Sequence, residues 1–157
     1  MYKMKFFSAL LVFAIACILQ FSFAPAGVTV DFVFAALIAF SFVFSAQAVA
    51  HAGRREGFLE LLFFVLAGVF LMNWMPAPSM ALIVFAAMPI LSYFFSVIFP
   101  LETWIWVVIS LFSGFIILYL AAAPRFIVAA APSFFIDLFI GSAFGFAVFL
   151  CMDRAFD

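Results

Sequence analysis

The chain has 157 residues, 72% of them hydrophobic and 8% charged, with a mean hydropathy of +1.47 and a formal net charge of −1. A soluble domain carries roughly 45–50% apolar and about 25% charged residues, and a water-soluble fold of this size would expose large apolar patches, so the composition calls for lipid as solvent. The near-neutral charge excludes the basic footprint of a nucleic-acid binder, while two distant cysteines, Cys17 and Cys151, and a single histidine, His51, leave a metal or redox centre without ligands.

A membrane helix needs about 20 apolar residues, because each rises about 1.5 Å through a hydrocarbon core of about 30 Å. Six stretches meet that length and predict an all-α bundle in a single domain, with helices at about 6–23, 31–50, 57–74, 80–99, 104–123 and 132–151. Ala24-Pro25-Ala26-Gly27 closes the first stretch, and Asp31 opens the second. His51 to Glu56 is the most hydrophilic segment and reads as a short solvent-facing loop before the third.

Pro76 and Pro78 break the pattern ahead of the fourth stretch, Pro100 to Thr103 makes the next turn, and Pro124-Arg125 ends the fifth. Proline favours the first turn of a helix, so the sixth starts near Pro132, which leaves Phe126 to Ala131 as a short interfacial or re-entrant piece. The first stretch, with Lys3 and Lys5 ahead of it, is longer than the core of a signal peptide, about 7 to 15 residues, and reads as an uncleaved span.

Lys and Arg near helix ends favour the cytoplasmic side. With six spans and the N-terminus inside, Lys3, Lys5, Arg54, Arg55 and Arg154 are cytoplasmic and Arg125 alone is outside, so both termini are expected in the cytoplasm. A five-helix arrangement divides the charges less cleanly. Arg54 and Arg55 are topology determinants in this reading, and Trp74 and Trp104 fall at helix ends as an aromatic belt requires.

Charges inside a membrane cost about 2.5–3.5 kcal/mol or more at a helix centre, which singles out Asp31, Glu60 and Asp137. Asp137, Gly141 and Gly145 share one helix face at four-residue spacing, so the carboxyl is expected on a packed G-x-x-x-G face. Asp31, Ala35 and Ala39 repeat that arrangement, which predicts that the two helices are neighbours with their carboxyls close together on the outer side and Arg125 as an available partner. The alternative for each acid is a helix cap. A G-x-x-x-G face serves internal packing or a partner helix, and Asp137→Asn is expected to weaken folding or partner binding. No Ser-His-Asp, Cys-His or metal-ligand set is present, so no catalytic residue or cofactor is expected.

The stretch from Ile18 to Pro25 closing the first helix, with Val30-Asp31-Phe32 opening the second, resembles the MreD family of bacterial rod-shape-determining membrane proteins. Arg54-Arg55-Glu56-Gly57-Phe58 resembles the family's basic loop followed by Gly-Phe, and the short charged ending is similar too. Family members often have Pro-Asp-Leu where this chain has Val30-Asp31-Phe32, and Glu60 stands near a position where they tend to have glycine; a further aspartate in the third helix is absent here.

The resemblance implies a non-enzymatic component of the bacterial inner membrane. It would bind the membrane-anchored protein MreC and help couple the elongation machinery to peptidoglycan synthesis, with self-association left open. The rival is the six-helix substrate-binding subunit of an energy-coupling vitamin transporter. That reading needs a polar, aromatic-lined pocket, to which Asn73, Trp74, Arg125 and Asp137 could contribute.

Overall fold

A computed structural model of the chain describes residues 2–23, 30–50, 54–72, 80–99 and 102–154. Among them are seven helices and no strand: α1 (Tyr2–Phe23), α2 (Phe32–Ala50), α3 (Arg54–Met72), α4 (Met80–Ile98), α5 (Thr103–Ala122), α6 (Pro124–Ala129) and α7 (Ala131–Arg154). Met80–Ile98, Thr103–Ala122 and Ala131–Asp153 are long and apolar enough to cross a membrane, which is compatible with a membrane protein, and Phe6–Ser22 and Phe32–Ala46 are shorter apolar helices.

The seventh helix arises from the turn after α5. Ala123 still donates to the Tyr119 carbonyl at 2.9 Å, and Pro124 then starts α6, where its missing N–H and fixed φ suit a first helical position. The expected short piece is therefore a helix placed two residues earlier, beginning at Pro124. α7 starts at Ala131 with Pro132 in its first turn, and Phe134 makes the first backbone bond to Ala130 at 3.0 Å. α3 also begins earlier than expected, at Arg54, so Arg54-Arg55-Glu56 is helical and not loop. Arg and Glu are good helix formers, and Glu56 in the first turn complements the helix dipole.

α2 occupies the axis of the bundle. Every side chain from Phe32 to Ser45 is buried, and α1, α3, α4, α5 and α7 all pack against it. The sequence permits this because the segment has no polar face: its only polar side chains, Ser41 and Ser45, turn back to the carbonyls of Ile38 at 2.6 Å and Phe42 at 2.9 Å. Aromatic rings fill the space around it, with Phe40 and Phe64 centroids 5.1 Å apart and Phe34 lying 5.5 Å from Phe115. α4 carries Pro89 inside it, which removes the backbone bond to Phe85, a loss helices in packed membrane bundles tolerate.

The long helices alternate in direction. α2 and α4 run parallel, since Phe34 meets Phe85 at one level and Ser45 bonds Ser96 at 2.8 Å about three turns further along both. α3 runs against them, with Phe58 beside Tyr93 and Gly68 beside Phe85 and Leu37. α1 opposes α2, as Gln20 reaches Val33 while Phe13 packs on Phe64 at the level of Phe40 and Phe44. α5 opposes α2 and α7 opposes α5, so the start of α1 and the end of α7 share one end of the bundle. The outward faces of α4, α5 and α7 are apolar, with Ile83, Phe94, Ile109, Leu120, Phe135 and Phe139 all exposed. That surface suits lipid and would be an aggregation surface in water.

Candidate functional site

Asp31, Arg125 and Asp137 all belong to the end of the bundle opposite the start of α1. Asp31 precedes α2, and its Oδ1 accepts the backbone N–H of Phe34 at 3.2 Å while its carbonyl accepts from Ala35 at 3.1 Å. This is N-cap geometry, in which a short acidic side chain satisfies a first-turn donor and the helix dipole favours its charge. Gln20, near the end of α1, completes the arrangement. Its Oε1 accepts the Val33 N–H at 3.0 Å, and its side chain also hydrogen-bonds the Asp31 carboxyl, so one amide ties α1 to the start of α2.

Asp137 is held differently. It lies beyond the first turn of α7, is buried, and its Oδ2 accepts the hydroxyl of Tyr119 on α5 at 3.0 Å. The Tyr119 ring is positioned by an edge-on contact with Phe134, centroids 5.2 Å apart. One turn along α7, Gly141 receives the ring of Phe115, which leaves no space for a Cβ, and one turn further Gly145 receives Leu111. A Cβ on Gly145 would also stand 3.0 Å from the backbone oxygen of Ala35. Tyr119, Phe115 and Leu111 thus step down α5 by four residues as Asp137, Gly141 and Gly145 step along α7 in the opposite direction.

The G-x-x-x-G face is therefore covered by α5 and α2 from the same chain. α2 and α7 are neighbours, as the paired small-residue faces suggest, through Ala35 at Gly145 and through Phe32 and Phe144, whose centroids are 5.2 Å apart. The contact runs one turn inside Asp31 and two turns beyond Asp137, and each carboxyl finds a partner on a different helix, Gln20 for one and Tyr119 for the other. Arg125 is exposed on α6. The side chains of Arg54 and Arg55, and His51, Asn73 and Trp74 altogether, lie outside the described residues. Trp104 is exposed at the start of α5, where its Nε1 donates to Glu102 at 2.8 Å, and Cys17 and Cys151 are free thiols.

Gln20 and Tyr119 are the two partners that residue patterns did not single out. Gln20 had a signal, being the sole amide in an apolar helix close to a turn, but nothing local says that it faces Asp31. Tyr119 had a weaker one, since a tyrosine near a helix end also fits the membrane interface. Among the described residues no group of three or more His, Cys, Asp or Glu could hold a metal ion. The arrangement caps a helix and ties helix pairs together. Compared with known proteins, the chain matches no family model, no curated protein and no solved structure.

Proposed function

We propose that the chain is a non-enzymatic scaffold of the bacterial inner membrane, with six spans and both ends in the cytoplasm, resembling MreD and binding a membrane-anchored partner of the MreC kind in the cell-elongation machinery. The observation that carries this reading is the buried α2, whose side chains from Phe32 to Ser45 fill the axis of the bundle with apolar groups. A bundle closed around such a helix turns its recognition outward, to the surface that lipid and a neighbouring membrane protein share. The alternating helix directions support the topology, since Lys3, Lys5, Arg54, Arg55 and Arg154 belong to one end and Arg125 to the other.

The vitamin-transporter reading needs its polar residues to converge on a pocket. Arg125 is instead exposed, and Asp137 is turned into the contact with Tyr119. Co-purification is the deciding experiment. Solubilised protein should reproducibly carry a membrane-protein partner at a fixed ratio; protein that brings down no such partner and retains a small molecule defeats the scaffold reading.

A further inference from the structure

α6 joins the end of α5 to the start of α7, two antiparallel neighbours, and packs on both. Its six residues rise about 9 Å, which matches the usual distance between the axes of packed helices, about 8–10 Å. A helix of that length between those two ends lies across them. In a membrane it therefore runs along the surface and not through it.

The two sides of α6 differ. Ile127 packs against the core, whereas Pro124, Arg125, Val128 and Ala129 are exposed. Arg125 and Val128 stand three residues apart and so share one side. Val128, at 85% exposure, is the most open large apolar side chain among the described residues. Such an aliphatic group is best placed in hydrocarbon, while the guanidinium beside it is best placed in water or against an anion. Only the boundary between headgroups and acyl chains serves both, with the valine turned toward the chains and the long arginine stem reaching the headgroups.

The surroundings agree with that depth. Ile117 and Leu120 near the end of α5, and Phe135 and Ile136 near the start of α7, are exposed, so an apolar outward surface continues from α6 along both helices. The acids at this end are engaged elsewhere: Asp31 holds the Phe34 N–H and Gln20, and Asp137 is buried against Tyr119. An exposed guanidinium at headgroup depth meets phosphate, whose oxygens it can bind in pairs.

We propose that α6 is an interfacial helix that seats this end of the bundle in the bilayer surface, with Val128 at the acyl boundary and Arg125 on a lipid phosphate. The seat rests on the chain's being a membrane protein. It does not depend on which partner the protein binds or on which side of the membrane this end faces.

Full-length protein in phospholipid vesicles and phosphate-free buffer tests both halves. With Cys17→Ala and Cys151→Ala, a nitroxide attached through Val128→Cys reports depth by its relative accessibility to oxygen and to a water-soluble nickel complex. It should lie at the headgroup boundary, shallower than one attached through Ile116→Cys on the outward face of α5. A Val128 label in bulk water, or one shielded from both reagents by protein, overturns the seat; an Ile116 label in water overturns the membrane reading and the seat with it. With Arg54→Lys, Arg55→Lys and Arg154→Lys, Arg125 is the only arginine. Its isotope-labelled Cζ should then lose solid-state NMR signal through dipolar coupling to lipid phosphorus. An undiminished signal, or a loss seen only after inorganic phosphate is added, overturns the lipid-phosphate contact.

Discussion

Asp31 and Asp137 stand at the same end of the bundle on adjacent helices, yet they are held by different physics. Asp31 is half-buried at the start of α2, where the Phe34 N–H and the Gln20 amide meet its carboxyl, so much of what stabilises it is the helix terminus itself. Asp137 is past its helix's first turn, where the backbone donors are already used, and its acceptor is met from another helix by Tyr119. The first arrangement fixes where a helix begins. The second fixes how one helix lies against another, and it does so on the face where Gly141 and Gly145 bring the backbones close.

The sharpest way to separate these regions is to fill the close approach. Gly145→Leu should destabilise the bundle by about 3 kcal/mol, the upper part of the usual range for overpacking. Leu111 can yield, but the Ala35 backbone 3.0 Å from the new Cβ cannot. Thermal unfolding in detergent would measure the loss, and a wild-type transition would mean that α2 and α7 are further apart than described. Next in size is Asp137→Ala, at about 2 kcal/mol, because it deletes a buried side chain together with the hydrogen bond it accepts from Tyr119. Denaturant titration of the variant checks it; a loss no larger than that of Asp31→Ala would erase the distinction between the two acids.

How much of this was legible before the structure depends on the range of the signal. Helix length and loop breakers gave the six long stretches, and four-residue spacing placed Asp137 on a face with Gly141 and Gly145. Both are local properties of one helix. Partner choice is not local: the same face could have met a second protein, and only the packed chain shows Phe115, Leu111 and Ala35 there. The central place of α2 was written in its lack of a polar face between Phe32 and Ser45, but a lipid-exposed helix can be equally apolar. The start of α3 at Arg54 is hidden in the sequence because a short charged segment between apolar stretches reads as loop, although Arg and Glu favour helix as readily as solvent.

A smaller effect belongs to the cap. Asp31→Ala should cost about 1 kcal/mol, the usual loss for an N-cap carboxylate. Asp31→Asn should restore nearly all of it, since asparagine caps as well and can still meet Gln20. Hydrogen exchange at the Val33 and Phe34 amides is the direct measurement, with faster exchange expected in the alanine variant and near-native exchange in the asparagine one. Equal protection in all three would show that Gln20 alone holds the start of α2.

The smallest loss of stability should come from Tyr119→Phe. It removes one oxygen and leaves the ring against Phe134, and interhelical hydrogen bonds in membrane bundles average about 0.6 kcal/mol by double-mutant cycles. In an Asp137→Ala background the same substitution should cost close to nothing, because the hydroxyl has already lost the carboxyl it donates to. A full cost in both backgrounds would place the value of Tyr119 in its packing and detach it from Asp137. The contrast with Asp31 is then quantitative: a cap is measured by how well one helix starts, whereas a bond between two helices is measured by the coupling that exists only while both partners are present.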